Sequence, residues 1–440
     1  MSFIRQALAL LALLLNLLSC ASAKDNPPLV HAPTVYGFAK AMFVTDDKKG
    51  GRPNQNTPGF GGKLGIATGE YSGFSLKGAW YATSDLGLRS HNPRETDAYM
   101  FNLEKRPYSL LGEAQIGYRG QQTQLTLGRQ EMDSPLMASG DYRIIPNLFE
   151  AYTLRNTSLP NTKITLAYVS KMSGLDSLTS FSEFRSMSQQ AYTSLMVSAD
   201  GRIDARQGDI LDLSSVAGKK GVWFAGIKYE KDFRLQLWHY QGNDTLRTVY
   251  LDGSYRQVLD DRLSLQLEAQ TYQVTAVGRF ERYLQGHGLN ASYRLQGVKA
   301  TLADKPSGVS LALAHNRFSG NAQTVTAYSN WGGYPEFVSM PYLYAENTGV
   351  SAIARSGLSK ATLLLDLSAM GLSGHSLLFG HARINVDETI LAGSDIRVNT
   401  LLYRAKLMPA WMLRLALEAR NSGNSRYDNA FAAIALRHDF

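Results

Sequence analysis

Strict alternation of apolar and polar side chains is the feature of this chain that most restricts its fold. Between residues 263 and 270 the odd positions are apolar and the even positions are polar: Leu263, Leu265, Leu267 and Ala269 against Ser264, Gln266, Glu268 and Gln270. A helical period would mix these two sets on one surface, whereas a β-strand places them on opposite faces. The segment therefore predicts a strand with one apolar side and one side in contact with water.

Similar alternation recurs along the chain, in segments that are separated by two kinds of connection. Further examples are residues 163–168, 360–368 and 413–420. Short turns are expected at 119–122, 156–160, 259–262, 305–308 and 408–411, and long irregular stretches at about 171–220 and 320–346. Tight turns at one end of a sheet and long loops at the other are typical of an up-and-down membrane barrel.

The arrangement of these strands follows from the solvent that their apolar faces require. Beyond residue 23 no apolar run reaches the length of a transmembrane helix, but a strand of a membrane barrel needs only about ten residues. A sheet edge in hydrocarbon would leave backbone groups unpaired, which excludes an open sheet. We therefore predict an all-β fold, a closed antiparallel transmembrane β-barrel of about 18 strands, with long external loops and short periplasmic turns.

The two ends of the chain indicate export to the outer membrane of a Gram-negative cell. Residues 1–23 combine Arg5, an apolar run and Ala21-Ser22-Ala23, which is the form of a signal peptide, and residues 24–440 are assigned to the barrel. Lipidation of Cys20, the only cysteine, stays open as an alternative. At the other end, residues 432–440 alternate and finish on the aromatic Phe440, as in the insertion signal of outer-membrane proteins.

Three stretches resemble the OprD family of outer-membrane porins. They are residues 61–76, residues 127–135 (Leu-Gly-Arg-Gln-Glu-Met-Asp-Ser-Pro) continuing through 143–152, and residues 331–335 (Trp-Gly-Gly-Tyr-Pro) with Ser339-Met340. The likeness in order and spacing extends over most of the chain after residue 23, although residues 171–220 match nothing in it.

The resemblance implies a barrel of 18 strands whose third external loop, at about 130–148, folds inward and narrows the channel. It also implies basic wall residues that guide solutes carrying a carboxylate. Members of the family pass amino acids, small peptides, organic acids or sugars. The expected function is thus a porin for passive, partly selective diffusion of small polar solutes through a basic-walled channel, in contact with outer-membrane lipid.

Candidate channel residues come from the water-facing parity of the strands and from the third loop. The formal charge of the chain is +8, and basic residues outnumber acidic ones on the water-facing parity, which favours anionic groups. The candidates are Tyr142, Arg143, Glu150, Arg404, Lys406, Arg414, Glu418, Arg420 and Arg437. For Arg143 the sequence leaves two roles open, a contact with solute and a tie to a wall carboxylate such as Glu150.

Two other functions remain as alternatives at this stage. A barrel-anchored adhesin or receptor would use its long loops to bind a partner, and an outer-membrane hydrolase would assemble a catalytic set across strands. No H-E-x-x-H or G-x-S-x-G motif is present, so we expect no enzyme, metal or cofactor. Basic charge is spread over the strands, which gives no support for nucleic-acid binding. A monomer and a homotrimer both remain open.

Overall fold

The computed structural model describes residues 33–440 of this chain with several internal gaps. The gaps are residues 50, 52, 98–99, 175, 177–179, 190–195, 198–202, 205–208, 211–212, 322, 325–330, 340–354, 386–394 and 424–427. The expected signal peptide at 1–23, with Cys20, lies outside the described residues.

Eighteen long strands build the fold, and they are numbered here in chain order. The first nine are β1 Thr34–Lys48, β2 Gln55–Ala67, β3 Phe74–Ser84, β4 Ser109–Arg119, β5 Thr123–Gln130, β6 Leu148–Asn156, β7 Thr162–Ser173, β8 Val222–Glu230 and β9 Phe233–Gly242. The second nine are β10 Leu246–Val258, β11 Leu263–Ala276, β12 Ser292–Asp304, β13 Val309–Phe318, β14 Gly357–Asp366, β15 His375–Asn385, β16 Ile396–Met408, β17 Trp411–Ser422 and β18 Asn429–Asp439.

Antiparallel pairing runs from each strand to the next and closes between the last strand and the first. β1 pairs with β2 on one side and with β18 on the other, where Ala41 is opposite Leu436. Gly37 and Phe440 exchange two backbone hydrogen bonds of 2.9 and 3.1 Å at this seam. The closed antiparallel barrel predicted from the alternation is therefore confirmed, together with its 18 strands. A short strand, Arg185–Ser186, pairs with the end of β7. Three further two-residue strands, Met196–Val197, Ile203–Asp204 and Asp209–Ile210, form a separate small sheet.

The two ends of the barrel differ as the sequence indicated. Connections such as 120–122 between β4 and β5, 259–262 between β10 and β11, and 409–410 between β16 and β17 are tight. At the opposite end lie the connections 131–147, 174–221 and 319–356. An even number of strands places both ends of the barrel sequence at the end with the tight turns, which we call the short-turn end.

Side chains divide between the two surfaces of the wall according to the parity of each strand. On β11, for example, Leu267 is exposed on the outside, whereas Gln270 and Tyr272 are buried on the inside. Among the described residues, no helix is both long enough and apolar enough to cross a membrane. The helix Gly278–Gly286 belongs to the connection between β11 and β12.

Candidate functional site

The connection between β5 and β6, residues 131–147, lies inside the barrel; we call it the inner loop. Met137, Ile144 and Ile145 are buried, and the methyl groups of Ile144 lie against Gly59 and Gly61 on the inner side of β2. A Cβ atom at Gly61 would stand 2.6 Å from Ile144, so the wall there has room only for glycine. The inner loop thus fills part of the cross-section of the barrel.

Asp141 binds the tip of the inner loop to a part of the wall away from its own strands, β5 and β6. Its carboxylate accepts hydrogen bonds from Lys40 Nζ at 3.1 Å, Arg414 Nη2 at 3.0 Å and Arg437 Nη1 at 2.8 Å. These cations stand on β1, β17 and β18, so one carboxylate meets three neighbouring strands. Lys40 Nζ and Arg414 Nη1 also donate to the backbone carbonyl of Asp141, at 2.9 and 2.7 Å.

The electrostatic consequence for Asp141 is a carboxylate that stays charged. Burial alone would raise its pKa, but the positive charges of Lys40, Arg414 and Arg437 hold the pKa below its ordinary value. Because charge-assisted hydrogen bonds are stronger than neutral ones, this contact is a directional anchor for the loop.

Glu131 forms a second anchor where the inner loop begins. Its Oε1 accepts hydrogen bonds from Lys63 Nζ at 2.9 Å and from the Tyr81 hydroxyl at 2.6 Å. Lys63 Nζ also donates to Glu113, a fully buried residue of β4, at 3.0 Å, and the Tyr81 hydroxyl lies 2.7 Å from Glu113, so its one proton serves either carboxylate. Two carboxylates therefore share a lysine and a tyrosine, which joins the loop to the inner faces of β2, β3 and β4.

Asp176 forms a third anchor, in which three separate connections meet. It pairs with Arg143 of the inner loop at 2.9 Å and accepts hydrogen bonds from Asn147 at 2.6 Å and from the Tyr334 hydroxyl at 2.6 Å. Asp176 itself belongs to the connection 174–221, and Tyr334 to the connection 319–356. The backbone N–H of Trp331 donates a hydrogen bond of 2.7 Å to the carbonyl oxygen of Leu136, so the connection 319–356 packs directly on the inner loop.

Between this packed loop assembly and the wall of β7–β16 lies an internal cavity of about 790 Å³. The inner loop and residues 332–339 form one side of it, and strand side chains form the other. Six basic and three acidic side chains line the cavity: Arg143, Lys163, Lys228, Arg234, Lys360 and Arg404 against Asp133, Asp252 and Glu268. We refer to this space as the channel cavity.

Most of the acidic charge in the channel cavity is already balanced by neighbours. Asp252 pairs with Arg234 at 3.1 Å, and Glu268 pairs with Lys299 at 2.7 Å. In contrast, neither Lys163 nor Arg404 lies within salt-bridge distance of a carboxylate in the described part of the chain. A water-filled bore with low-dielectric walls focuses the field of such unpaired cations.

The structure distributes the predicted channel residues over several environments. Arg404 lines the channel cavity, and Tyr142 lines it with its ring 5.2 Å from the guanidinium of Arg414. Arg414 and Arg437 hold Asp141. Glu418 is buried and accepts a hydrogen bond of 2.9 Å from Thr400, and Arg420 is buried on the same side of β17. Lys406 is exposed near the short-turn end of β16, against Gly374.

Glu150 is a correction to the sequence-based assignment. It does not line the channel cavity, because it shares the outer face of β6 with the exposed Tyr152 and pairs there with Lys171 at 3.0 Å. Its other cationic neighbour is Arg129 at 3.6 Å, also on the outside. The suggested tie between Arg143 and Glu150 is therefore wrong, and the partner of Arg143 is Asp176.

The anchoring acids Asp141 and Asp176, and the cation Lys40, were missed by the sequence reasoning. Lys40 carried a usable signal, since it stands on the inner parity of β1 between Phe38 and Met42, which are both buried. Asp141 and Asp176 lie in irregular connections, where no periodicity indicates the direction of a side chain. Among the described residues, no group of three or more His, Cys, Asp or Glu side chains could hold a metal ion.

Comparison with protein families gives one match that bears on this arrangement. Residues 101–348, more than half of the chain, match the model of the outer membrane porin family OprD. The matched range contains the inner loop, the connection with Asp176 and residues 331–339. A comparison with curated protein sequences gave no match.

Solved structures from Pseudomonas aeruginosa and Acinetobacter baumannii are among those with the same fold. Pseudomonas aeruginosa OccK9 (OpdG) superimposes with a TM-score of 0.74 at 16% identity, over 94% of this chain and 100% of that one. OpdK from P. aeruginosa, crystallised with vanillate, gives 0.68 at 15% identity over 93% and 98% of the two chains. Acinetobacter baumannii OccAB1 gives 0.71 at 14% identity over 94% and 97%.

Proposed function

Since the chain belongs to the OprD family of outer-membrane porins, we propose that it passes small polar solutes carrying a carboxylate, by passive and partly selective diffusion. Its class is not in question: it is an outer-membrane β-barrel porin and not an enzyme. The proposal concerns the kind of solute and the part that the basic wall plays in choosing it.

The observation that carries the proposal is the imbalance of charge in the channel cavity. Lys163 and Arg404 have no carboxylate partner among the described residues, while Asp252 and Glu268 are paired with cations. A guanidinium offers a planar fork of donors that fits a carboxylate, and an ammonium adds a point charge. A carboxylate entering the cavity therefore finds unpaired cations. A cation would meet three acids, of which Asp252 and Glu268 are already paired and only Asp133 has no salt-bridge partner among the described residues.

The size of the space suits small solutes in a partly hydrated state. A cavity of about 790 Å³ falls within the range of roughly 300–1,000 Å³ that is usual for sites of small molecules. The comparison structure of OpdK was crystallised with vanillate, a small aromatic carboxylate. Tyr142 and Trp238 line the cavity beside its cations, which gives such a ring an apolar surface close to a donor.

Flux measurements on the reconstituted protein test this proposal. Liposomes containing the porin are exposed to vanillate or to its uncharged amide at equal concentration. The proposal predicts faster entry of the carboxylate than of the amide, and loss of that difference in the variant Lys163→Gln/Arg404→Gln. Equal entry of the two solutes into liposomes with the unaltered protein would contradict it.

A further inference from the structure

A group of basic side chains stands on the outer surface of the barrel, away from the channel. We call it the outward basic cluster, and it consists of Arg294, His315, Arg317, His381, Arg383 and Arg397. Each residue has the exposed parity of its strand, in β12, β13, β15 or β16, and each lies toward the long-loop end. Adjacent strands thus present cations outward at one edge of the wall.

Register keeps the members of the cluster close together. Ser359 on β14 is opposite His315 on one side and opposite Arg383 on the other. Neighbouring strands are about 5 Å apart, so His315 and Arg383 are separated by roughly 10 Å across the sheet. Arg317 lies two residues beyond His315, on the same face.

Little acidic charge compensates these cations in the part of the chain that the structure describes. Arg383 pairs with Asp395 at 2.9 Å, but its side chain remains 54% exposed. Arg317 and Arg397 contact no carboxylate among the described residues. His315 and His381 have neutral partners, Ser359 at 2.9 Å and Asn399 at 2.8 Å.

Toward the short-turn end, the same sector has an apolar groove. Small and branched side chains of β12, β13 and β14 line it, including Val298, Ala300, Leu313 and Ala361, and its volume is about 740 Å³. The end of the groove nearer the long loops is formed by three members of the cluster, His315, His381 and Arg383. Val298 and Leu313 are each 59% exposed, so nothing in the described chain covers them.

The other side of the barrel is built differently at the same edge. There Arg129 stands beside Glu150, which also pairs with Lys171, and the aromatic rings of Tyr152, Tyr168 and Trp223 follow on the outer face. Cations that share an acid, above aromatic side chains, form an ordinary interfacial girdle. The outward basic cluster has fewer acidic partners than cations and lies above a groove of small side chains. An anion from outside the described chain would balance these cations.

We propose that this sector binds a phosphorylated lipid of the outer leaflet, with phosphate on the outward basic cluster and an acyl chain in the groove. The long-loop end faces the cell exterior, so the cluster lies at the level of outer-leaflet headgroups. Arginine binds phosphate oxygens in a bidentate manner, and an acyl chain covers apolar area that alanine side chains leave open. The lipid is then a specific component of the barrel surface.

Binding of purified lipid A to the porin in detergent micelles tests the proposal. The measurement compares the diphosphorylated lipid with a chemically dephosphorylated preparation, by native mass spectrometry over a range of lipid concentrations. The variant Arg317→Ser/Arg383→Ser loses two charge-assisted contacts. We expect it to bind the diphosphorylated lipid at least about tenfold more weakly than the unaltered protein does. The matched control is Arg247→Ser, an exposed outward residue near the same end of β10, and it should bind as the unaltered protein does.

Several results would overturn the lipid assignment. The first is equal binding of the lipid by the double variant and the unaltered protein, and the second is equal binding of the two lipid preparations. The third is displacement of the lipid by millimolar inorganic phosphate, which would indicate a site for free phosphate. Single-channel conductance reports folding of the variants independently, because both arginines lie outside the bore. An unchanged conductance together with lost lipid binding separates this inference from the proposed solute preference.

Discussion

The carboxylate of Asp141 lies 3.0 Å from the guanidinium of Arg414, although the two residues are 273 positions apart in the chain. The contact joins the tip of the inner loop to the wall of β17, and Lys40 and Arg437 join the same carboxylate from β1 and β18. Three basic wall residues thus hold the loop, and they are not free to meet solute as long as Asp141 is charged.

Removing the charge of Asp141 should change both the loop and the selectivity of the pore. In Asp141→Asn, Lys40, Arg414 and Arg437 lose their common anion, so we expect stronger anion selectivity and noisier single-channel currents. The carboxylate is 44% exposed, and the buried Lys40 keeps its hydrogen bonds to the carbonyl oxygens of residue 141 and Arg143. The loss in unfolding free energy should therefore be modest, about 1 kcal/mol. Reversal potentials in a salt gradient measure the effect.

Asp47→Asn is the matched control, since Asp47 is an exposed acid that pairs with Lys49 near the long-loop end of β1. It should leave the reversal potential unchanged. An Asp141→Asn pore with the selectivity and noise of the unaltered protein would show that the carboxylate does not hold the loop.

Acidification should reproduce the Asp141→Asn phenotype, at a pH below the ordinary range for aspartate. The pKa of Asp141 is lowered in the folded protein, so its ion pairs contribute fully above the unfolded pKa and are lost as the pH falls through the folded pKa. We therefore expect anion selectivity to rise only below that pH. Titration of the reversal potential checks this, and a transition of equal size in Asp141→Asn would assign it to another group.

Replacing the free cations of the channel cavity should weaken anion passage without weakening the fold. In Lys163→Gln and Arg404→Gln, one unpaired charge is removed from the wall, and we expect a lower anion-to-cation permeability ratio in each and a larger decrease in the double variant. Arg119→Gln is the control, because Arg119 is the exposed last residue of β4, outside the channel cavity, and pairs with Glu70. If the control and the cavity variants shifted the ratio equally, the effect would be one of overall charge.

Asp176 should contribute more to stability than Asp141, because it is buried with its partner. Asp176→Ala leaves the guanidinium of Arg143 buried without its anion, for which we expect a loss of about 3–5 kcal/mol. The double variant Asp176→Ala/Arg143→Met should recover part of that loss. Unfolding of the lipid-embedded barrel in denaturant measures these free energies. If the loss in the double variant equalled the sum of the losses in the two single variants, a direct ion pair would be contradicted.

Gly128 is expected to be indispensable for the strand that leads into the inner loop. Its φ is +114°, and a Cβ atom there would stand 2.2 Å from the carbonyl oxygen of Ala114 on β4. Gly128→Ala should cost at least about 2 kcal/mol, through strain and displacement of β5. Gly120→Ala is the control, since a Cβ there meets nothing nearer than 3.5 Å. Gel electrophoresis with and without heating measures the folded fraction of each variant. Equal folded fractions for Gly128→Ala and Gly120→Ala would refute the steric argument.

The barrel was predictable because side chains alternate between the two faces of a β-strand, with a period of two residues. Leu263, Leu265 and Leu267 were assigned to one face from spacing alone, and the structure places them on the outer face of β11. Tight turns such as 259–262 and 408–411 followed from the same reasoning. Closure then followed from the requirement that no strand edge remains unpaired in hydrocarbon.

The site was less predictable because it depends on contacts without a period. Asp141 and Asp176 lie in irregular loops, and their partners are up to 296 residues away in the chain. Glu150 was placed wrongly because it was assigned from its position in the motif after the inner loop, although it has the parity of Tyr152 and Leu154 on the outer face of β6. The sequence indicated that a loop would turn inward, but not which carboxylates would hold it.

The sharpest test of the basic channel wall is the reversal potential across a planar bilayer, with the unaltered protein in a tenfold gradient of potassium chloride. We expect discrete conductance steps and a reversal potential on the anion-selective side, reduced toward zero in Lys163→Gln/Arg404→Gln. Cation selectivity, or a barrel that inserts and conducts no current, would contradict it.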